Sequence, residues 1–333
     1  MRTRIETSGE RRGAPRPAGD GGGSGVEPGP AGNLSWFSSG PGLRVSTEAG
    51  RGAGSLRHSS PLRALGRVLT YVLVTAGAVA TATPFVWLIL SSFKSLQEVV
   101  LFPPTFFPKK PVLSNFAEVF KMIPFGKYYW NSIVTSVVPT VATVLTSSMT
   151  GMGFAKYRFA GRSFLFWIVL STMMVPFPAT IVPLYIMVSR AGLVNTYAGL
   201  IVVGLSSAFG IFMMRQFITS IPDELLDAAR IDGASEFRIF LQIVMPLTKP
   251  AVATLTLFTF TGHWGAYIWP LIVVNSDRLR TLPLAIPYFS GQYFSFQNLI
   301  NAASLMAIAP VLVLFLFTQR YFVQGITLTG LKA

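Results

Sequence analysis

Six stretches of this chain are apolar for long enough to cross about 30 Å of hydrocarbon, and polar loops separate them. They run over Val68–Phe93, Tyr129–Thr150, Phe164–Tyr185, Ala198–Met214, Ala251–Val274 and Ala302–Gln319. The pattern predicts an all-α integral membrane protein with six transmembrane helices. Ala80-Thr81-Ala82 weakly matches a signal cleavage site, but the apolar run continues through Phe85 to Leu90. The first span therefore reads as an uncleaved signal anchor.

The longest polar interruption among the last spans covers about residues 218–249 and has its own periodicity. Ser220-Ile221-Pro222-Asp223 predicts a capped helix start, with aspartate in the capping-box position and proline in the first turn. Asp223, Glu224 and Asp227 then lie near the positive end of that helix. Ala228 and Ala229 give it a low-relief face, and Gly233 suits the left-handed residue that ends it. Ser235 predicts a second cap. Phe237, Phe240, Leu241 and Val244 follow with i, i+3, i+4, i+7 spacing, which predicts one apolar stripe. Pro246 is expected to stop this helix, and Pro250 to open the fifth span. Connectors between spans are often amphipathic too, so periodicity alone leaves a docking element and a plain connector both open.

Composition narrows the class. Of 333 residues, 51% are hydrophobic and 12% charged, against about 25% charged in soluble domains. The absence of cysteine excludes disulfides and cysteine metal sites. Residues 1–62 differ from the remainder, 63–333. They hold Asp20-Gly21-Gly22-Gly23-Ser24-Gly25, scattered prolines and many arginines, with too few large apolar residues to offset the entropy of ordering. A disordered tail, or residues ahead of a mis-assigned start codon, accounts for them. Their charge also suits anionic lipid or nucleic acid, but nucleic acid is not an expected partner.

Most of the 27 lysines and arginines fall on one side of the predicted spans, and the tail supplies much of that bias. The short loop carrying Lys156, Arg158 and Arg162, and Arg190 alone on the opposite side, favour the same orientation. Both termini and the Asp227 loop are expected in the cytoplasm.

None of the six spans contains Asp, Glu, Lys or Arg. Ion-coupled carriers usually keep such groups in the membrane despite their cost, so a secondary carrier is disfavoured. The lone His263 reads as a packing residue rather than a proton relay. There is no phosphate-cradling Gly-x-x-x-x-Gly-Lys-Ser/Thr loop, no His-Glu-x-x-His and no paired intramembrane carboxylate. No catalytic or metal-binding residue is assigned, which disfavours a membrane-embedded enzyme. An external motor is the natural energy source.

The Asp227 loop resembles the "EAA" loop of permease subunits in binding-protein-dependent ABC importers. That pattern is Glu-Ala-Ala, three residues, Gly, nine residues, Ile-x-Leu-Pro. Here it is carried by Asp227, Ala228, Ala229, Gly233, Ile243 and Pro246, with Asp227 in place of Glu and Met245 in place of Leu. Ile221-Pro222-Asp223-Glu224-Leu225 and Arg230-Ile231-Asp232-Gly233-Ala234-Ser235 resemble the carbohydrate-uptake branch, particularly the maltose-type second permease. Phe106-Phe107-Pro108, Tyr129-Trp130-Asn131-Ser132, Gly153-Phe154-Ala155-Lys156-Tyr157-Arg158-Phe159 and Gln319-Arg320-Tyr321-Phe322-Val323-Gln324-Gly325 extend the likeness over residues 63–333.

The resemblance implies a type I ABC importer permease fold in the cytoplasmic membrane of a prokaryote. It also implies a second homologous permease, two ATPase subunits that bind ATP and Mg, and an extracytoplasmic solute-binding protein. No cofactor is expected in this chain, and membrane lipid is an expected partner. By analogy the Asp227 motif sits in a cleft on the ATPase, and Gln324 and Gly325 reach the ATPases too. The expected substrate is a sugar or oligosaccharide; glycerol 3-phosphate or a polyol is the alternative, for which Arg278 and Arg280 are available. Asn131, Tyr267 and Asn301 are candidate pathway residues, although Asn131 and Asn301 equally suit satisfying helix ends or contacting the partner permease. Tyr267 and Trp269 offer ring faces, although aromatic residues near span ends also form the interfacial belt. Gln292, Gln297 and Asn298 belong to an outer loop expected near the binding protein.

Overall fold

The computed structural model describes residues 61–291 and 294–329. The predicted tail lies outside them except for its last two residues, as do Gln292 and Lys332. A long first helix, α1 (Pro61–Ser92), is followed by two short ones, α2 (Leu96–Val99) and α3 (Ser114–Met122). Helix α4 (Phe125–Lys156) is the second long element. Then come α5 (Arg162–Thr172), α6 (Phe177–Arg190), α7 (Tyr197–Ile201) and α8 (Ala208–Thr219). The polar loop holds α9 (Asp223–Ile231), α10 (Glu236–Ile239) and α11 (Met245–Leu247). Helices α12 (Lys249–Trp264), α13 (Ile268–Val273), α14 (Leu282–Ala285) and α15 (Gln297–Thr329) complete the described residues.

Among the described residues three helices, within α1, α4 and α15, are long and apolar enough to cross a membrane, and up to six crossings result if each of three bent pairs (α5 with α6, α7 with α8, and the α10–α11 segment with α12) is one span. Proline and turn chemistry explain why three predicted spans are not straight. Phe164–Tyr185 divides into α5 and α6, which bend by 99°. Pro176 caps α6 and Pro178 sits in its first turn, so the break falls where amide donors are missing and the residue ahead of a proline avoids helical angles. Ala198–Met214 divides into α7, a 3₁₀ turn at Val202–Gly204, and α8, with a 44° bend. The Ser207 hydroxyl accepts the Gly210 amide at 3.1 Å and so caps the new start. Ala251–Val274 divides at Gly265–Tyr267, where Pro270 removes the donor that would have continued the helix.

Helix α4 is the centre of the molecule and packs on both α8 and α12. Its covered face is small and hydroxylated: Ser132, Ser136, Thr140 and Ser148 are buried at intervals of four or eight residues. Small side chains let backbones approach closely, which is how helices gain contact in lipid. At Gly151 an added Cβ would stand 2.9 Å from both the Arg215 amide nitrogen and the Met214 Cβ. At the other end, α3, α14 and α15 close an apolar core around Phe125, Tyr128, Leu282, Phe289 and Ala303. Helix α1 packs along α15 and leaves the rest of its apolar surface open.

Candidate functional site

The polar loop is two capped helical turns wedged against the ends of α4 and α8. The first begins two residues later than its capping-box spacing predicts. Pro222, not Ser220, occupies the cap, and the Ser220 hydroxyl donates back to the Phe217 carbonyl at 2.7 Å. Leu226 is fully buried among Met214, Ile218, Ile239 and Val244, and this anchors α9. Gly233 takes φ +79°, the left-handed geometry expected of it, and the Ala234 amide closes on the Ala229 carbonyl at 3.0 Å. The Ser235 hydroxyl caps α10 through the Arg238 amide at 3.4 Å, also as expected.

Beyond Ile239 the structure departs from the predicted stripe. Residues Phe240–Val244 form a π turn, with the Met245 amide donating to the Phe240 carbonyl five residues back. Pro246 has no amide and its ring crowds the carbonyl of Gln242, and the wider turn accommodates both effects. The change of register buries Ile239, Phe240 and Val244 and leaves Phe237 61% and Leu241 44% exposed. Pro246 does not end the helix. The chain runs on to Leu247, then turns through 83° into α12, which Pro250 opens as predicted.

This geometry brings Asp227, Ala228, Gly233 and Pro246 to the outer surface of the loop, with Ala229 and Ile243 half-buried beneath them. Around them Leu225, Phe237 and Leu241 stand exposed, and Ile231 is 86% exposed. An apolar rim of this kind on a rigid, capped element marks a contact surface.

Ion pairs lock the two turns together. Arg230 bridges them: its Nη1 donates to Asp227 and its Nε to Glu236, both at 2.7 Å. Glu236 also accepts the Tyr157 hydroxyl. The Arg230 and Tyr157 hydrogen bonds hold the Glu236 carboxyl below the usual range, and the hydrogen bonds to Glu236 and then Asp227 push the Arg230 guanidinium up. Burial, then Glu236, raises the Tyr157 phenol. Lys156, its side chain 5% exposed, donates to the Ile221 carbonyl and pairs with Asp223 at 2.7 Å. The Lys156 contact lowers the Asp223 carboxyl. Sequence spacing did not single out Lys156, Tyr157, Arg230 or Glu236 as a network, because two of them lie more than sixty residues from the others.

A cavity of about 680 Å³ opens beside the middle of α4. Ser206, Ser207 and Thr259 supply hydroxyls to its wall, Thr135 and Thr143 line it with hydroxyls that donate to the Asn131 and Gly204 carbonyls, and Phe177, Tyr267 and Trp269 supply rings. His263 also lines it, packed so closely on Gly204 that an added Cβ there would meet the imidazole at 2.3 Å. None of the described residues lining it is Lys, Arg, Asp or Glu.

Of the three predicted pathway residues, only Tyr267 reaches this wall. Asn131 is 1% exposed; its amide donates to the Arg278 and Arg280 carbonyls at 3.0 and 2.8 Å, and its oxygen accepts the Tyr197 hydroxyl at 2.5 Å. It is a brace between α4 and the 275–281 segment. Asn301 accepts from Gln297 at 3.4 Å and lies away from the cavity. The Ser and Thr residues spaced along an otherwise apolar span were the available signal for the wall. Helix α15 continues through Gln324 and Gly325 to Thr329.

The binding-protein-dependent transport system inner membrane component family matches residues 147–327. The chain is 36% identical to the arabinooligosaccharides transport system permease protein AraQ of Halalkalibacterium halodurans, over 75% of this chain and 90% of that one. It is 32% identical to the sn-glycerol-3-phosphate transport system permease protein UgpE of Pectobacterium atrosepticum, over 78% and 95%. A chain in the crystal structure of a bacterial ABC transporter involved in import of the acidic polysaccharide alginate superposes with TM-score 0.71 at 24% identity, covering 80% of this chain and 99% of that one. That likeness is one of fold.

Proposed function

The chain belongs to the inner membrane components of binding-protein-dependent transport systems, the permeases of ABC importers, and we propose that it moves a neutral sugar or oligosaccharide. In this reading α1, α4, α5 with α6, α7 with α8, α12 with α13, and α15 are six crossings. Both termini and the Asp227 loop lie in the cytoplasm. The contacts of Lys156 with Ile221 and Asp223 support that placement, since they put the basic 156–162 turn and the loop at one end of the molecule.

A second permease completes the pore, a solute-binding protein delivers the substrate, and two ATPase subunits hold ATP and Mg. Asp227, Ala228 and Gly233, with the apolar rim around them, enter a cleft on one ATPase. Ala229, Ile243 and Pro246 shape the loop that presents them. Gln324 and Gly325 extend α15 toward the ATPases. Closure of the motor on ATP moves the docked loop, and the attached helices switch access between the two sides. The energy enters as a difference in contact between two states.

The cavity carries the substrate assignment. Hydroxyls and ring faces suit a sugar, whereas the phosphate of glycerol 3-phosphate asks for a cation within reach. Arg280, one of the two sequence candidates for that role, is paired with Asp277 at 2.7 Å and lies over the Tyr288 ring. Thermal-shift screening of the companion binding protein tests this directly. Stabilisation by neutral sugars is expected; stabilisation by glycerol phosphates alone would overturn it. The coupling site has its own test. Gly233→Pro and Ala229→Asp should leave the protein in the membrane while abolishing transport-linked ATPase stimulation, and wild-type coupling in both variants refutes the assignment.

A further inference from the structure

The Gly153–Phe159 stretch, conspicuous in the sequence, has no role in the docking surface just described. Its structural position gives it one. Lys156 is the last residue of α4 and Tyr157 its C-cap. Each grips a different part of the loop. Lys156 holds the entry to α9 through the Ile221 carbonyl and the Asp223 carboxylate. Tyr157 holds the first residue of α10 through Glu236, which Arg230 ties back to α9.

The other end of this linkage is the cavity. Thr143, on the cavity wall, is thirteen residues ahead of Lys156 on the same helix, which is about 20 Å along a helix axis. Between them, at Gly151, α4 is in backbone contact with α8, the helix that leads into the loop. A displacement of α9 and α10 therefore has two routes into the membrane. One is covalent, through α8 and α12. The other is the polar grip on the end of α4.

We propose that Lys156 and Tyr157 are positioning residues that pass the motion of the loop to α4, and so to the cavity wall. The proposal rests on the permease reading above. Loss of the grip leaves the docking face intact, because neither residue belongs to the exposed surface around Asp227, Ala228 and Gly233. The ATPase still binds and is still stimulated, while α4 follows the loop less faithfully.

The test uses the full transporter in proteoliposomes and measures substrate imported per ATP hydrolysed, together with the yield of ATPase co-purified with the permease. Lys156→Met and Tyr157→Phe should each lower the import-to-hydrolysis ratio about five- to tenfold at wild-type yield of complex. Lys156→Arg, which keeps a cationic donor, should restore most of it. A merely structural role would lower complex yield, import and hydrolysis together and leave the ratio unchanged; that result overturns the proposal, as does a wild-type ratio in both variants. If the wild-type complex itself shows no ATP-dependent import, the permease reading has failed instead.

Discussion

Two glycines on one helix should respond to the same substitution with opposite signs. At Gly151 an alanine Cβ would lie 2.9 Å from the Arg215 nitrogen and the Met214 Cβ, and 3.2 Å from the Met214 carbonyl carbon. Two of these atoms are backbone, so no side chain can swing aside. Comfortable carbon contacts begin near ~3.5 Å, so α4 and α8 must separate by about half an ångström or more. Overpacking of this order costs roughly 1–3 kcal/mol. Gly153, half a turn further on, has nothing within 4 Å of the same position. Both variants gain the helix-propensity advantage of alanine over glycine, at most about 1 kcal/mol. Their difference therefore isolates the clash. Thermal unfolding of detergent-purified protein should rank Gly153→Ala at or above wild type and Gly151→Ala clearly below it. Equal melting temperatures for the two variants would refute the close approach of α4 and α8.

Three other perturbations test separate parts of the structure. Leu226→Ala removes the fully buried anchor of α9; a loss of about 2–5 kcal/mol should appear as protease cleavage within 220–235 at lower protease concentration than in wild type. Asn131→Ala strands the Arg278 and Arg280 carbonyls and the Tyr197 hydroxyl, and should lower the melting temperature without changing substrate preference. The third perturbation is pH. Because the Glu236 carboxyl is held below its unfolded value, its contribution to stability is full above the ordinary Glu range and is lost as pH falls through the depressed folded value. Thermal stability should therefore fall on acidification more steeply in wild type than in Glu236→Gln, and identical pH profiles would count against the Arg230–Glu236–Tyr157 network.

Much of this architecture is legible in the chain, and the rest is hidden for identifiable reasons. Hydropathy finds α1, α4 and α15 because each is a continuous apolar helix. It also finds α5 with α6 and α7 with α8 as single apolar runs, but a window average cannot see that Pro176 and Pro178 remove donors at one point of such a run. Gly233 and Ser235 behave as their local chemistry requires, since capping depends on neighbours in sequence. The apolar stripe after Ser235 fails because Pro246 acts backwards on the preceding turn, converting an α register into a π register and exposing Phe237 and Leu241. Asn131 looks like a polar group available to a ligand until its partners, Tyr197 and the carbonyls near residue 280, are brought beside it by folding. The Lys156–Asp223 and Tyr157–Glu236 contacts are invisible for the same reason. They join residues 67 and 79 positions apart, and no periodicity reports such a distance.

The central proposal is that the Asp227 loop admits the energy of a separate ATPase into the permease. Sugar uptake by proteoliposomes containing the two permeases and the binding protein, measured with and without the ATPase subunits and ATP, tests it most directly. Uptake should require both the ATPase subunits and ATP, and an imposed proton or sodium gradient should not replace them. Gradient-driven accumulation without the ATPases would contradict the account.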